Sequence, residues 1–227
     1  MRENLSDASE DYLKSIYALA TESGRASTNQ IAERMGVKPA SVTGMIQKMA
    51  AADPPLVEYQ KHRGVVLTPQ GEKVALEIIR HHRLLELFLF RTLGYSWDEV
   101  HGEADRLEHV ISEDFEERIA EALGNPLHDP HGDPIPTRDF RLPQSLGVRL
   151  SELRPGQSAK VQRVEDSEPE LLRYLSSIGI LPGAHIHVLD FSPFDDNLFL
   201  QIAGQEESVV LGPRVTAKIY MQEVEAP

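Results

Sequence analysis

The sequence predicts a mostly α chain with a small β domain. The expected parts are a winged helix-turn-helix, a helical dimerisation domain and a C-terminal SH3-like barrel. Three observations carry this expectation. Residues 25–67 read as helix, Gly-containing turn, helix and then two short β-like runs. Residues 68–93 form a long apolar-rich helical run that Gly94 ends, and further helical runs follow to about residue 123. From Val148 the pattern changes to five short strands and one helix, punctuated by Pro155-Gly156 and Pro182-Gly183. At 227 residues the chain can bury more than one core, and the expected domains are 1–73, 74–146 and 147–227.

The first helix is expected over 7–22, with Asp7 as N-cap, Glu10 as its capping-box partner, and Leu13, Ile16, Tyr17 and Ala20 as the apolar stripe. Asp11 in its first turns, taken alone, reads as a solvated carboxylate favoured by the helix dipole. Ser27-Thr28 caps a short helix from Asn29 to Met35, and Gly36-Val37 turns the chain. Pro39 starts a second helix to about Ala50, with Val42, Met45, Ile46 and Met49 inward. Its outward residues Lys38, Ser41, Thr43, Gln47 and Lys48, with Pro39 and Ala40 at its start, are small, polar or basic, as a helix that approaches base edges and phosphates requires. Strands at Leu56 to Tyr59 and Val65 to Thr68 flank a basic tip holding Lys61 and Arg63, a wing suited to phosphate.

The next helix carries Leu84, Leu85, Leu87, Phe88, Leu89 and Phe90, too apolar a run for a solvated helix, so part of it is expected to pack on a second subunit. Ser96 and Glu99 open a helical run over 97–109, treated as one run with room for a break, and Ser112 caps another over 112–123. Residues 124–147 are dense in Pro, Gly and His and read as a linker partly ordered by packing; its His128 and His131 could bind metal, but linker histidines are more often simply solvated. The β region has strands at Ser158–Val164, His185–Leu189, Asn197–Ile202, Ser208–Leu211 and Ala217–Met221 and a helix from Pro169 to Ile178. Asp166, Glu168 and Glu170 near that helix start read first as dipole partners.

Composition bounds the chemistry. There is no cysteine, which excludes disulfides, thiolate metal sites and thiol nucleophiles and fits a reducing cytoplasm. The opening residues do not read as a signal peptide, and no apolar run reaches membrane-spanning length, so no membrane partner is expected. The net charge of −13 is unevenly placed: residues 1–75 hold nine basic and nine acidic side chains, and 25–75 hold seven against four. A locally basic module on an acidic body is compatible with DNA binding.

The chemistry-bearing residues gather in three places. His101, Asp105 and His109 are spaced i, i+4, i+8, with Glu108 three residues after Asp105, so on one continuous helix they share a side. His82 and Glu86 form an i, i+4 pair on the preceding helix, and Asp11 stands on the first. Any one pair is an ordinary surface ion pair; seven such residues on three helices make a ligand set large enough for two sites. Its oxygen and nitrogen donors suit Mn²⁺ or Fe²⁺ better than a structural tetrahedral Zn²⁺.

These motifs resemble the DtxR/MntR family of metal-dependent transcriptional repressors. The resemblance rests on Asp7-Ala-Ser-Glu-Asp-Tyr-Leu-Lys-Ser-Ile-Tyr17, Ile31-Ala-Glu-Arg34 with Ser41-Val-Thr43, His62-Arg-Gly-Val-Val-Leu-Thr-Pro69, His82-Arg-Leu-Leu-Glu86, the 101–109 stretch and Pro130-His-Gly-Asp-Pro-Ile-Pro136, in family order over nearly the whole chain. It implies a homodimer that binds double-stranded operator DNA when metal is bound. It places an activating site on Asp11, Asp105, Glu108 and His109. An ancillary site falls on His82, Glu86 and His101, with a carboxylate from Glu168 or Asp166. Iron-type members carry Met and Cys where this chain has Asp11 and Asp105, which tilts the expected cofactor from Fe²⁺, the alternative, to Mn²⁺. Lys14 stands where one manganese-type branch has a Glu ligand. Two readings from other classes are a carboxylate-bridged metalloenzyme, which gives no reason for the helix-turn-helix and wing, and a metal-storage or trafficking module with incidental DNA affinity, which predicts binding that ignores DNA sequence.

Overall fold

The computed structural model describes residues 5–60, 63–143, 147–165 and 168–225. Its elements fall into two compact units. The first comprises Met1–His82, Leu107–Ile111 and Pro136–Leu142, and the second Arg83–Arg106, Ser112–Ile135 and Pro143–Pro227.

In the first unit, α1 spans Asp7–Ser23, α2 Thr28–Arg34 and α3 Pro39–Ala50. Ser27 caps α2 through a capping box with Gln30, which satisfies donors that a helix start would otherwise leave open. Pro39 sits in the first turn of α3, where its missing N–H costs nothing. Strands β1 (Val57–Gln60) and β2 (Gly64–Leu67) pair antiparallel, with Val57 opposite Leu67, and Ala26 forms a bridge to Val65. Leu13 and Ile16 of α1, Ile31 of α2, Val42, Ile46 and Met49 of α3 and Val65 of the wing close one apolar core. Each such side chain contributes about 1.5–3 kcal/mol on burial. The expected cap of α1 is corrected: the N-cap is Ser6 and Asp7 is already helical. Glu10 is not a capping partner, because its side chain is buried and engaged elsewhere.

Helix α4 runs Pro69–Phe88 and ends in a π-helical turn, Leu89–Leu93, closed by Gly94 in the left-handed region. The boundary between the units falls within α4, after His82. The helical run expected over 97–109 is shorter. Residues 97–99 form a turn, α5 spans only Val100–Leu107, and Glu108 and His109 lie in the turn that follows. Ser96 and Glu99 do bond to each other, but their cap closes that preceding turn. The spacing therefore does not place four ligands on one helical face: His101 and Asp105 fall in the second unit and Glu108 and His109 in the first, whereas the resemblance groups Asp105 with Glu108 and His109. Helix α6 spans Glu113–Ala122 behind the cap Ser112.

The remainder of the second unit is a six-stranded antiparallel sheet of order β3-β8-β4-β5-β6-β7, one strand more than expected. The strands are β3 (Val148–Arg149), β4 (Ser158–Val164), β5 (His185–Phe191), β6 (Leu198–Ile202), β7 (Val209–Leu211) and β8 (Ile219–Glu225), with α7 (Pro169–Ser177) and α8 (Pro213–Thr216) between them. Two-residue β3 is too short to carry a period-2 pattern, so nothing local announces it. Its pairing comes from β8, where Val148 faces Met221.

Trp97 belongs to the core of this sheet domain, among Leu150, Leu172 and Ile219. The segment expected to be a linker partly ordered by packing is bound to it. The Val164 N–H donates to the His131 carbonyl at 2.9 Å, and Asp133 accepts from Arg83 of α4 at 3.1 Å and Arg163 of β4 at 3.2 Å. Gly132 makes this approach possible: its φ is +91°, and a Cβ there would lie 2.0 Å from the Gln162 carbonyl oxygen. His131 is fully buried, which corrects its expected solvation; His128 is exposed as expected.

Candidate metal centre and nucleic-acid interface

In the first unit, α1 presents Glu10 and Asp11 to the turn after α5. His109 donates from Nδ1 to Glu10 Oε2 at 2.7 Å, and its Nε2 lies 3.1 Å from Asp11 Oδ1 and 3.5 Å from Glu108 Oε1. Because a carboxylate only accepts, Glu10 accepts the Nδ1 hydrogen bond of His109 and turns Nε2 towards Asp11 and Glu108, where a bound cation would take the place of the Nε2 proton. One atom each from Asp11, Glu108 and His109 lies within 4.8 Å of the others. Two carboxylate oxygens and one imidazole nitrogen converging at that spacing fit a divalent cation of the hard or borderline kind.

Glu108 is the most constrained member and is fully buried. Its Oε2 accepts from His82 Nδ1 at 2.5 Å, and Lys14 Nζ donates to Oε1 at 2.8 Å and Oε2 at 3.0 Å. Burial opposes its ionisation, but the hydrogen bond and charge of His82, then Lys14, outweigh this and hold the carboxyl below the usual range. His81 Nδ1 donates to the Glu108 backbone carbonyl at 3.1 Å and holds the turn. Glu10 was missed in the sequence because a helix-start Glu reads as a cap.

The second unit holds another group. His101 Nδ1 lies 3.1 Å from Glu86 Oε1, and His101 Nε2 lies 3.5 Å from Asp105, whose side chain is half exposed. Glu86, Asp129 and His131, all buried, bring ligand atoms within 4.8 Å of one another. His131 Nε2 donates to the Trp97 carbonyl at 2.8 Å, which leaves Nδ1 as the lone-pair nitrogen, 3.8 Å from Glu86 Oε2. Asp129 Oδ1 accepts the N–H groups of His131 and Asp133 at 2.8 and 2.9 Å, while Oδ2 is buried without a hydrogen bond, 3.6 Å from Arg83 Nε. Burial, then the neighbouring Asp133 and Glu86 charges, push the Asp129 carboxyl well above its ordinary value. Such a group calls for a cation or a proton. Sequence reasoning missed Asp129 and ranked His131 first as a solvated histidine, because they flank Pro130 with no helical or strand period; the density of His, Asp, Pro and Gly was their one local signal. Glu168 is paired with Lys218 and, at 3.9 Å, with Arg214; Asp166 lies outside the described residues.

On α3, Val42, Ile46 and Met49 are buried, while Lys38, Pro39, Ala40, Ser41, Gln47 and Lys48 are exposed and Thr43 is half-buried with its hydroxyl on the Pro39 carbonyl. Arg63 is exposed on the wing beside an open cleft that Arg25, Ser27, Thr28 and Tyr59 also line; Lys61 lies outside the described residues.

Comparison with known proteins places the chain in a family. Residues 4–65 match the model of the iron dependent repressor N-terminal DNA binding domain, 68–137 its metal binding and dimerisation domain, and 148–223 the FeoA domain. The iron-dependent repressor IdeR of Mycobacterium leprae is 34% identical over 216 residues, covering 89% of this chain and 92% of that protein. The chain belongs to the iron-dependent repressor (DtxR) family. As a member, it is a metal-dependent, DNA-binding transcriptional repressor, not an enzyme. The family includes proteins named for different metals. The HTH-type transcriptional regulator MntR of Geobacillus kaustophilus is 42% identical over 114 residues, covering 50% of this chain and 79% of that protein. A solved structure described as a manganese-dependent transcriptional repressor in complex with manganese is 38% identical, covers 94% of this chain and 98% of its own, and superimposes with a TM-score of 0.84. The repressor therefore has a helical DNA-binding domain, a helical dimerisation domain and a FeoA/SH3-like sheet domain, and no helix among its described residues is long and apolar enough to cross a membrane.

Proposed function

We propose that this repressor responds to Mn²⁺, and that its activating ion is held by Asp11, Glu108 and His109, with Asp105 added by the family resemblance. The observation that carries the reading is the convergence of Asp11, Glu108 and Glu10-oriented His109 with no sulfur ligand. An ion there supplies positive charge to a carboxylate-rich pocket and a shared ligand shell. Asp11 belongs to α1, and Leu13 and Ile16 of α1 pack into the core that also seats α3. Fixing Asp11 against Glu108 and His109 therefore fixes the support of the recognition helix and lowers the ordering cost of DNA binding. Double-stranded operator DNA is read by Ser41, Thr43 and Gln47 with Lys38, Lys48, Lys61 and Arg63 on phosphates, Pro39 and Ala40 allowing close approach.

The chain acts as a homodimer. Of its apolar run, Leu84, Leu85, Leu87 and Leu89 are buried, whereas Phe90, Leu93, Tyr95 and Phe115 remain exposed and offer the face for a second copy. A second ion site is proposed on Glu86 and His101 with Asp129 and His131. His82, assigned to that site by the resemblance, is proposed to orient Glu108. Gel shifts on the promoter DNA of its own gene test the reading: Mn²⁺ supports a specific complex, chelation abolishes it, and Asp11→Ala does not form it. DNA affinity indifferent to chelator refutes it, and Fe²⁺ acting at lower concentration than Mn²⁺ under anaerobic conditions assigns the iron alternative.

A further inference from the structure

The ion-pair pattern around Glu108 points to a role for Lys14 that rests on the metal-site reading above. Lys14 follows Asp11 by three positions on α1, so both project towards the same turn. Its ammonium bonds both oxygens of Glu108 and lies 3.5 Å from His82 Nδ1. Glu108 is thus a buried carboxylate already compensated from within the chain. The two ends of this pair differ in solvent access: the Lys14 side chain is 26% exposed, whereas that of Glu108 is fully buried.

We propose that Lys14 is a tethered cation that competes with the divalent ion for Glu108 and so sets the metal concentration at which the repressor switches. Glu108 Oε1, the oxygen nearest His109 Nε2, is the same oxygen that takes the shorter Lys14 bond. An ammonium and a divalent ion at hydrogen-bonding range of one oxygen repel each other, so coordination by Oε1 requires the ammonium to withdraw. Four rotatable methylenes and an exposed flank let it do so into water. Lys14 therefore has opposite effects on the two states. With His82, it compensates the buried Glu108 carboxylate in the metal-free pocket, because removing one partner of a buried ion pair is destabilising. It also weakens metal uptake, because that partner must first leave.

Mn²⁺ binding to the full chain, followed by calorimetry and by the electron paramagnetic resonance signal of free Mn²⁺, tests this with Lys14→Met and Lys14→Arg. The Met variant is expected to bind Mn²⁺ about tenfold tighter, the loss of one charged hydrogen-bonding competitor, and to melt at a lower temperature without metal. The Arg variant, which keeps the charge, stays within about threefold of wild type on the same argument. Lys14→Gln, which keeps a donor for Glu108 without the charge, gives the same sign if the Met variant does not fold without metal. Wild-type binding with neutral variants unchanged or weaker overturns the role of Lys14 alone. A wild-type chain that takes up no Mn²⁺ overturns the metal site and this inference together.

Discussion

Glu10 accepts a hydrogen bond from His109 Nδ1 at 2.7 Å, across 99 positions of sequence. This contact joins the first helix to the turn after α5 and chooses the tautomer of the imidazole. Removing it leaves Nε2 free to carry the proton and lets the ring rotate. Glu10→Ala is therefore expected to weaken metal binding by about 10- to 100-fold, the usual cost of losing a carboxylate behind a histidine ligand. Glu10→Gln, which keeps an accepting oxygen, should lose less. Calorimetric titration with Mn²⁺ measures both, and an Ala variant with wild-type affinity would remove Glu10 from the site.

Asp129 gives a pH dependence of known sign. Its carboxyl titrates well above the ordinary value in the folded chain, for burial first and then for the charges of Asp133 and Glu86. The folded state thus holds a proton that the unfolded state releases. Below the unfolded value this group costs nothing; as pH rises from there towards the folded value, stability is lost. Asp129→Asn keeps the oxygen that accepts from His131 and Asp133 and cannot ionise. The metal-free Asn variant should melt higher than wild type at pH 8 and equally at pH 4. It should also lose Mn²⁺-dependent quenching of Trp97, the one tryptophan, whose ring stacks on His131 at 5.3 Å. Equal melting at both pH values would contradict the burial argument.

Gly132→Ala meets two obstacles, a φ of +91° and the Gln162 carbonyl. The loss of stability should be at least about 2 kcal/mol. Differential scanning calorimetry should show it in the transition of the sheet-bearing unit, and Mn²⁺ uptake by Glu86, Asp129 and His131 should fall with it. A melting temperature within a degree of wild type would mean that the 129–134 turn does not need its seat on β4.

Gln47 and Arg63 separate base reading from phosphate anchoring. Arg63→Ala should weaken DNA binding uniformly across sequences and reduce the salt slope of log K by about 1. Gln47→Ala should leave the salt slope intact and cost about 1–3 kcal/mol of discrimination at one base position. Competition assays with single-base operator variants at two salt concentrations distinguish the two, and a sequence-specific loss for Arg63→Ala would reassign the wing to base contact.

Much of the first unit was legible because its signals are local. Ser27 with Gln30, Gly36, Pro39 and the Val42, Ile46, Met49 spacing each act within a few residues, and each places a boundary or a buried face. Glu108 and His109 were marked by residue type and spacing, while Asp11, which alone reads as a solvated carboxylate, was joined to them by the family resemblance. Local signals misled where a distant partner overrides them. Glu10 has the position of a capping residue and the environment of a buried hydrogen-bond acceptor. Residues 97–109 have helical spacing throughout, yet α5 stops at Leu107, and the Glu108 carbonyl is held by His81 instead.

The sequence by itself determined the helix-turn-helix, the wing, the sheet region and the oxygen-and-nitrogen character of the ligands, since caps, periodicity and side-chain chemistry are short-range properties. The family resemblance had already grouped Asp11 with Glu108 and His109; only the tertiary structure decided which side chains stand around them. It set Glu10 behind His109, brought Lys14 onto Glu108 and drew Asp129 and His131 out of an apparent linker into a buried group with Glu86. Those outcomes depend on desolvation and on partners tens of residues away, and no window of neighbouring residues carries that information.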